Sequence, residues 1–339
     1  MNSDSQNAMA NAHTLRMVDY NQNSEVQALA ASILSELIKK FAAKILVHLA
    51  PNEILNVCEY GCATGGSSIA PIRAIEELAG QRKVVIIMND LPMNDWKTLE
   101  TTIEAKFPRI DFKYLAKTMY SPIAEEASIH LGYSCFAQHW LDNGAPTGLS
   151  GDALWANQLP MNCLERQSWE KASRDNWTNK LLLRANEIVP GGRLIIHIHS
   201  SLNCGNLSEN FAETLRKAKF QMITNKELSP EQAIDLHIPQ YCKSPAEIFN
   251  ILCTPEMSSL WQMEEAHYQQ LPCDELFEQS NIKKQIGFLK GFLDSTLRTS
   301  LNQLQINRFW DHVSQFASND STALTSNGMS TFISLKRLG

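Results

Sequence analysis

The chain of 339 residues is 44% hydrophobic, carries a formal net charge of −6 and contains eight cysteines. Its Lys and Arg residues are scattered, so no basic stripe points to nucleic acid or to an anionic membrane surface. No apolar run approaches the ~20 residues of a membrane helix, and the polar start MNSDSQNAMANAH has neither region of a signal peptide. The apolar content suffices for one large core, and cysteines without a CxxC pair fit reduced thiols in a cytoplasmic protein.

Residues 1–19 are expected to be a mobile segment. From Val26 to Phe41, apolar residues recur at helical spacing behind Asn23 or Ser24 as N-cap. Ile54 to Cys58 reads as a short buried strand, Ile69 to Leu78 as helix, Lys83 to Asp90 as strand and Trp96 to Phe107 as helix. Phe112–Ala116 and Ser128–Ser134 are further strands, Trp177–Val189 is helical, and Gly191-Gly192 turn into RLIIHIH. This alternation means a parallel sheet covered on both faces. The remainder is helix-rich over Pro245–Leu252, Ile282–Leu297 and Leu301–Phe316, and MSTFISLKRL at the end alternates as a strand does.

The stretch VCEYGCATGGSSI, Val57 to Ile69, places a strand, a glycine turn and a helix start in succession. That order sets exposed backbone N–H groups beside a nucleotide-type ligand. Ala63 breaks the G-x-G-x-x-G fingerprint and no Walker pattern occurs, which disfavours pyrophosphate. Glu59, just before the turn, would repel phosphate but suit a cation such as the sulfonium and ammonium of S-adenosylmethionine (SAM). A structural glycine turn accounts for the same residues. Asp90 ends the next strand about thirty residues on, where a carboxylate can grip ribose hydroxyls, although Asp90 or Asn94 could equally cap the following helix.

YNQNSEVQ (Tyr20–Gln27), EYGCATGGSS, NDLPMND, SCFAQHWL (Ser134–Leu141), LLLRANEIVPGGRLII, IPQYCKSPAEI and STFISLKR occur in this order. Together they resemble the SABATH family of small-molecule carboxyl methyltransferases, over Tyr20 to the C-terminus. The resemblance implies an α/β fold, a Rossmann-like class I methyltransferase core that binds SAM, with a helical cap from insertions near residues 150–175 and 240–318. Carried over position by position, it places cofactor contacts at Tyr20, Ser24, Glu59, Gly61, Asp90, Leu91, Thr118 and Met119. The acceptor carboxylate falls to Gln27 and Trp140, with Phe136 and His139 lining the same pocket. The chain departs from the family in Glu59-Tyr60 for Asp-Leu, Met93 for glycine and Thr118-Met119 for Ser-Phe. Phe136 stands where a tyrosine is usual, and Ala137 replaces a serine.

A carboxylic acid, with a pKa near about 4, is ionised at neutral pH and needs no general base to attack a sulfonium methyl. The absence of a Ser-His-Asp or Cys-His arrangement agrees with that. Gln27 and Trp140 supply two neutral N–H donors, which hold a carboxylate without opposing the loss of its charge as the ester forms. The reading is a SAM-dependent enzyme that methylates a small apolar acid, without a metal, nucleic acid or membrane partner; a homodimer is among the assemblies open to it. Methylation of a heterocycle at nitrogen or oxygen, and SAM binding without turnover, are the alternatives. His197 and His199 share a strand face and, with no third ligand in view, read as packing. Trp155, Trp169 and Trp261 are either cap or core aromatics.

Overall fold

In a computed structural model of the chain, the described residues are 25–142, 145–201, 209–271, 282–326 and 328–339. Tyr20, the N-cap candidates Asn23 and Ser24, and the segment 1–19 lie outside them. Helix α1 (Glu25–Leu46) precedes β1 (Leu55–Tyr60), α2 (Ile69–Ala79), β2 (Val84–Asp90), α3 (Trp96–Ile103), β3 (Ile110–Ala116) and β4 (Ile129–Ser134). Next come α4 (Leu164–Glu187), β5 (Ile188–His199), α5 (Asn210–Thr224), α6 (Pro230–Asp235), α7 (Pro245–Leu252) and α8 (Pro255–Leu260). The chain ends in β6 (Trp261–Gln270), α9 (Ile282–Ser300), α10 (Gln303–Asn319) and β7 (Met329–Arg337).

Among the described residues seven strands form one sheet in the order β3-β2-β1-β4-β5-β7-β6. The expectation of a parallel sheet holds for the first five strands only. β7 pairs antiparallel with β5, and β6 antiparallel with β7, so the sheet is mixed. Strand alternation divides β1 between two cores. Val57 faces the larger one, with Leu34, Ile38, Ile72 and Phe309. Cys58 and Tyr60 face the other, with Trp177, Leu181 and Ile248.

Several boundaries differ from the sequence reading. α4 starts well before Trp177, because its polar-looking first half buries Arg166, Trp169 and Ser173. Val189 belongs to β5, which runs through Gly191-Gly192 with an irregularity in its pairing to β4. α3 gives way at Ile103 to a short 3₁₀ turn, Glu104–Lys106. Among the described residues, no helix is long and apolar enough to cross a membrane.

The chain reverses direction across the sheet between β1 and β4. In doubly wound sheets a ligand crevice opens at that switch point, beyond the carboxyl ends of the strands. Gly61, Asp90-Leu91, Thr118-Met119 and Phe136–Trp140 all follow such strand ends, of β1, β2, β3 and β4 respectively.

Candidate active site

The loop after β1 is stapled from below. Gly61 and Cys62 donate their N–H groups to Asn89 O at 2.9 and 3.1 Å, and Ala63 donates to Asp90 Oδ2 at 2.7 Å. Asp90 Oδ1 accepts from Leu91 N at 2.7 Å, and Asn94 Nδ2 donates to Ala63 O at 2.6 Å. The expectation of exposed N–H groups is therefore corrected: those of residues 61–63 turn inward, and no anion cradle exists there. Asp90 does not cap α3; Asp95 does, accepting from Thr98 N at 3.1 Å.

Gly61 has φ +86°, and a Cβ there would overlap Ala137 Cβ and come within 3.3 Å of Met119 Cε. Glycine is required where the loops of β1, β3 and β4 meet. Thr118 Oγ1 accepts from Tyr120 N at 3.3 Å. The Met119 loop is held from beneath by Arg184, which donates to Met119 O at 3.2 Å and Ser121 O at 3.0 Å and pairs with Glu187 at 2.8 Å. Nothing in the local sequence marks Arg184 for this role.

Glu59 is buried, 1% exposed, with Ser68 Oγ and Tyr133 OH donating to its two carboxylate oxygens at 2.9 and 2.8 Å. Burial pushes its carboxyl up to about 7 against the pull of those two bonds. Loss of surrounding water likewise raises the Asp90 carboxyl, opposed by the Ala63 and Leu91 N–H groups. A loop with inward N–H groups and two carboxyl groups at adjacent strand ends suits a cationic, phosphate-free cofactor. The residues present thus fit SAM, which Asp90, Leu91 and the Met119 loop would hold above Glu59.

Beside these strand ends lies a pocket of about 670 Å³, its solvent-open mouth included. Gln27, from the first turn of α1, and Trp140, from the loop after β4, both line it, together with Phe136 and His139. No Lys, Arg, Asp or Glu stands among its described lining residues. Val26, Phe211, Phe288 and Phe292 supply apolar wall. Gln27 Oε1 and His139 Nδ1 are buried without a hydrogen-bond partner among the described residues. His139 is held well below the usual imidazole range, first by burial and then by the neighbouring His199, His197, Lys243 and Lys180.

Phe136 adopts a left-handed backbone, φ +54°. Its N–H donates to His197 Nδ1 at 3.2 Å, so that ring carries its proton on Nε2, 2.9 Å from Ser330 Oγ. His197 is more than packing: it ties a cavity-lining residue to β7. His199 lines the cavity directly, as does Trp155, while Trp169 and Trp261 are core aromatics. Gln240 and Phe211 also line the cavity and escaped the sequence reading. Among the described residues no group of three His, Cys, Asp or Glu could hold a metal ion.

The sequence profile of the SAM dependent carboxyl methyltransferases matches residues 9–338. This chain belongs to that family. Family membership makes SAM its cofactor. A methyltransferase of Fusarium sp, LUC1, is 27% identical over 67% of this chain and 62% of its own length. The salicylate carboxymethyltransferase of Clarkia breweri is 25% identical over 68% of each chain. The match thus spans about three-fifths to two-thirds of the length of these curated relatives. The solved structure of a loganic acid methyltransferase with SAH superposes with a TM-score of 0.83, covering 96% of this chain and 99% of its own at 16% identity. That likeness establishes the seven-stranded methyltransferase fold.

Proposed function

We propose that the protein transfers the methyl group of SAM to the carboxylate of a small organic acid, giving a methyl ester. The observation that carries this reading is the cavity beside the cofactor crevice, where Gln27 and Trp140 converge from distant parts of the chain without any charged side chain among its described lining. The cofactor supplies a methyl group on a sulfonium, an electrophile that an ionised carboxylate attacks unaided. Gln27 Nε2 and Trp140 Nε1 donate to that carboxylate and aim one oxygen at the methyl. Orientation of this kind can account for about 7 to 11 kcal/mol of the barrier. An arginine clamp would bind the anion more tightly yet resist its neutralisation, so neutral donors favour the transition state.

In this reading the acceptor is covered by Trp155, from the segment near 150–175, and by Phe288 and Phe292 of α9; β6, within the expected 240–318 cap, belongs to the core sheet instead. The described cysteines are free, as they would be in the reducing cytoplasm.

The test is a screen of aromatic, terpenoid and fatty acids with methyl-labelled SAM, followed by esterase treatment. Esterase-labile product supports the reading. Label transferred only to esterase-resistant product on heterocycles overturns it in favour of the first alternative. SAM binding with no transfer to any acceptor overturns it in favour of a non-catalytic protein.

A further inference from the structure

Gln240 sits opposite Trp140 in an isolated antiparallel bridge. The pairing is pinned by Leu141 N to Pro239 O and Tyr241 N to His139 O, both 2.9 Å. Directly opposed residues of such a pair project to the same face, and both side chains line the cavity. Trp155 Nε1 donates to Gln240 Oε1 at 3.1 Å. An indole N–H can only donate, so it fixes which end of the amide is oxygen. The Gln240 NH₂ is left over. It has no hydrogen-bond partner among the described residues, on a side chain belonging to a residue only 4% exposed.

The polar demand of the cavity thus exceeds what one carboxylate meets. Gln27 and Trp140 suffice for a carboxylate, yet Gln240 offers a third oriented donor, and Gln27 Oε1 remains a buried acceptor without a partner among the described residues. Each polar group left dry beside a bound hydrocarbon weakens binding. A second carboxylate would bring another charge into a described lining that holds no Lys or Arg. An uncharged oxygen fits better, and a hydroxyl can both accept from an amide and donate onward.

We propose that Gln240, locked by Trp155, is a specificity-determining donor, and that the acceptor is a monocarboxylic acid bearing a second, uncharged oxygen function, a hydroxyl or carbonyl. The proposal rests on reading the cavity as the acceptor site of a carboxyl methyltransferase. It narrows the apolar acid expected from sequence to an acid with an apolar body and one further polar group.

The experiment compares kcat/KM for matched acids, such as benzoate with hydroxybenzoates, decanoate with hydroxy- and oxodecanoates, and a dicarboxylate, in the full chain and in Gln240→Leu. The parent enzyme should prefer at least one hydroxy or oxo acid over its plain counterpart by about 10-fold or more, and over the dicarboxylate. In Gln240→Leu that ratio should fall to within about 3-fold. Trp155→Phe keeps Gln240 but frees its amide to turn, and should lower the ratio too; it serves if the leucine variant does not fold. A parent enzyme that favours the plain acid or the dicarboxylate, or a ratio that survives both variants, overturns the proposal. If no acid is methylated although SAM binds, the carboxyl methyltransferase reading itself fails and takes the proposal with it, an outcome distinct from the first two.

Discussion

Asp90 accepts the backbone N–H of Ala63 at 2.7 Å, and so holds a non-glycine residue in a left-handed backbone, φ +45°, at the centre of the glycine loop after β1. Asn94 takes the carbonyl of the same residue. The two side chains join the ends of β1 and β2, so the carboxylate expected to meet ribose also shapes the glycine loop after β1.

Asp90→Ala should therefore lower thermal stability as well as weaken SAM, each by about 1 to 3 kcal/mol. Asp90→Asn keeps an acceptor for Ala63 and should retain more stability than affinity. Thermal unfolding and calorimetric titration of both variants check this; an alanine variant that loses affinity with no loss of stability would deny the loop its dependence on Asp90.

Gly61 and Ala137 are mutually exclusive with a second Cβ at position 61. Gly61→Ala should displace the Phe136–Trp140 loop and impair both cofactor and acceptor binding. Adding Ala137→Gly removes the overlapping atom and should restore part of the loss, leaving the strain of the positive φ. No recovery in the double variant would trace the requirement to backbone conformation or cofactor approach alone.

How much of this was legible in the chain follows from where each signal lies. β1, its glycine turn and the acid ending β2 are local patterns, and the order of the family's motifs joined Gln27 to Trp140 across the chain. β6 escaped because WQMEEAHYQQ is an exposed edge strand with Lys40 and Lys44 paired to its Glu265 and Glu264, which leaves no apolar alternation to read. The antiparallel β7 looked like any strand, since direction is not written in period. The inward turn of the Gly61–Ala63 N–H groups depends on Asn89 and Asp90, and the role of Gln240 on Trp155 and Trp140, some eighty-five and a hundred residues away. Such roles exist only after folding.

The buried Glu59 makes stability and cofactor affinity depend on pH. Its carboxyl titrates at about 7 in the folded chain against an ordinary 4.5. Between these values the folded chain holds a proton that the unfolded chain has released. The Glu59 contribution to stability should therefore fall as pH rises through this window, by up to about 3 kcal/mol, and level off above it, against the opposite contribution of the buried histidines. A cation bound above Glu59 favours the ionised form, so SAM affinity should rise over the same range. Glu59→Gln should remove this contribution from both profiles, leaving the opposite slope of the buried histidines His139, His197 and His199; parental slopes in this variant would remove Glu59 from either effect.

The central claim is that Gln27 and Trp140 together hold the acceptor carboxylate, and a double-mutant cycle in kcat/KM tests it most directly. On the acid found by screening, Gln27→Ala and Trp140→Phe should each lower kcat/KM by about 10- to 100-fold while SAM affinity stays within about 2-fold. The double variant should lose less than the product of the two, because a carboxylate released by one donor swings away from the other. Parental kinetics in both single variants, or losses that multiply fully, would contradict a shared carboxylate.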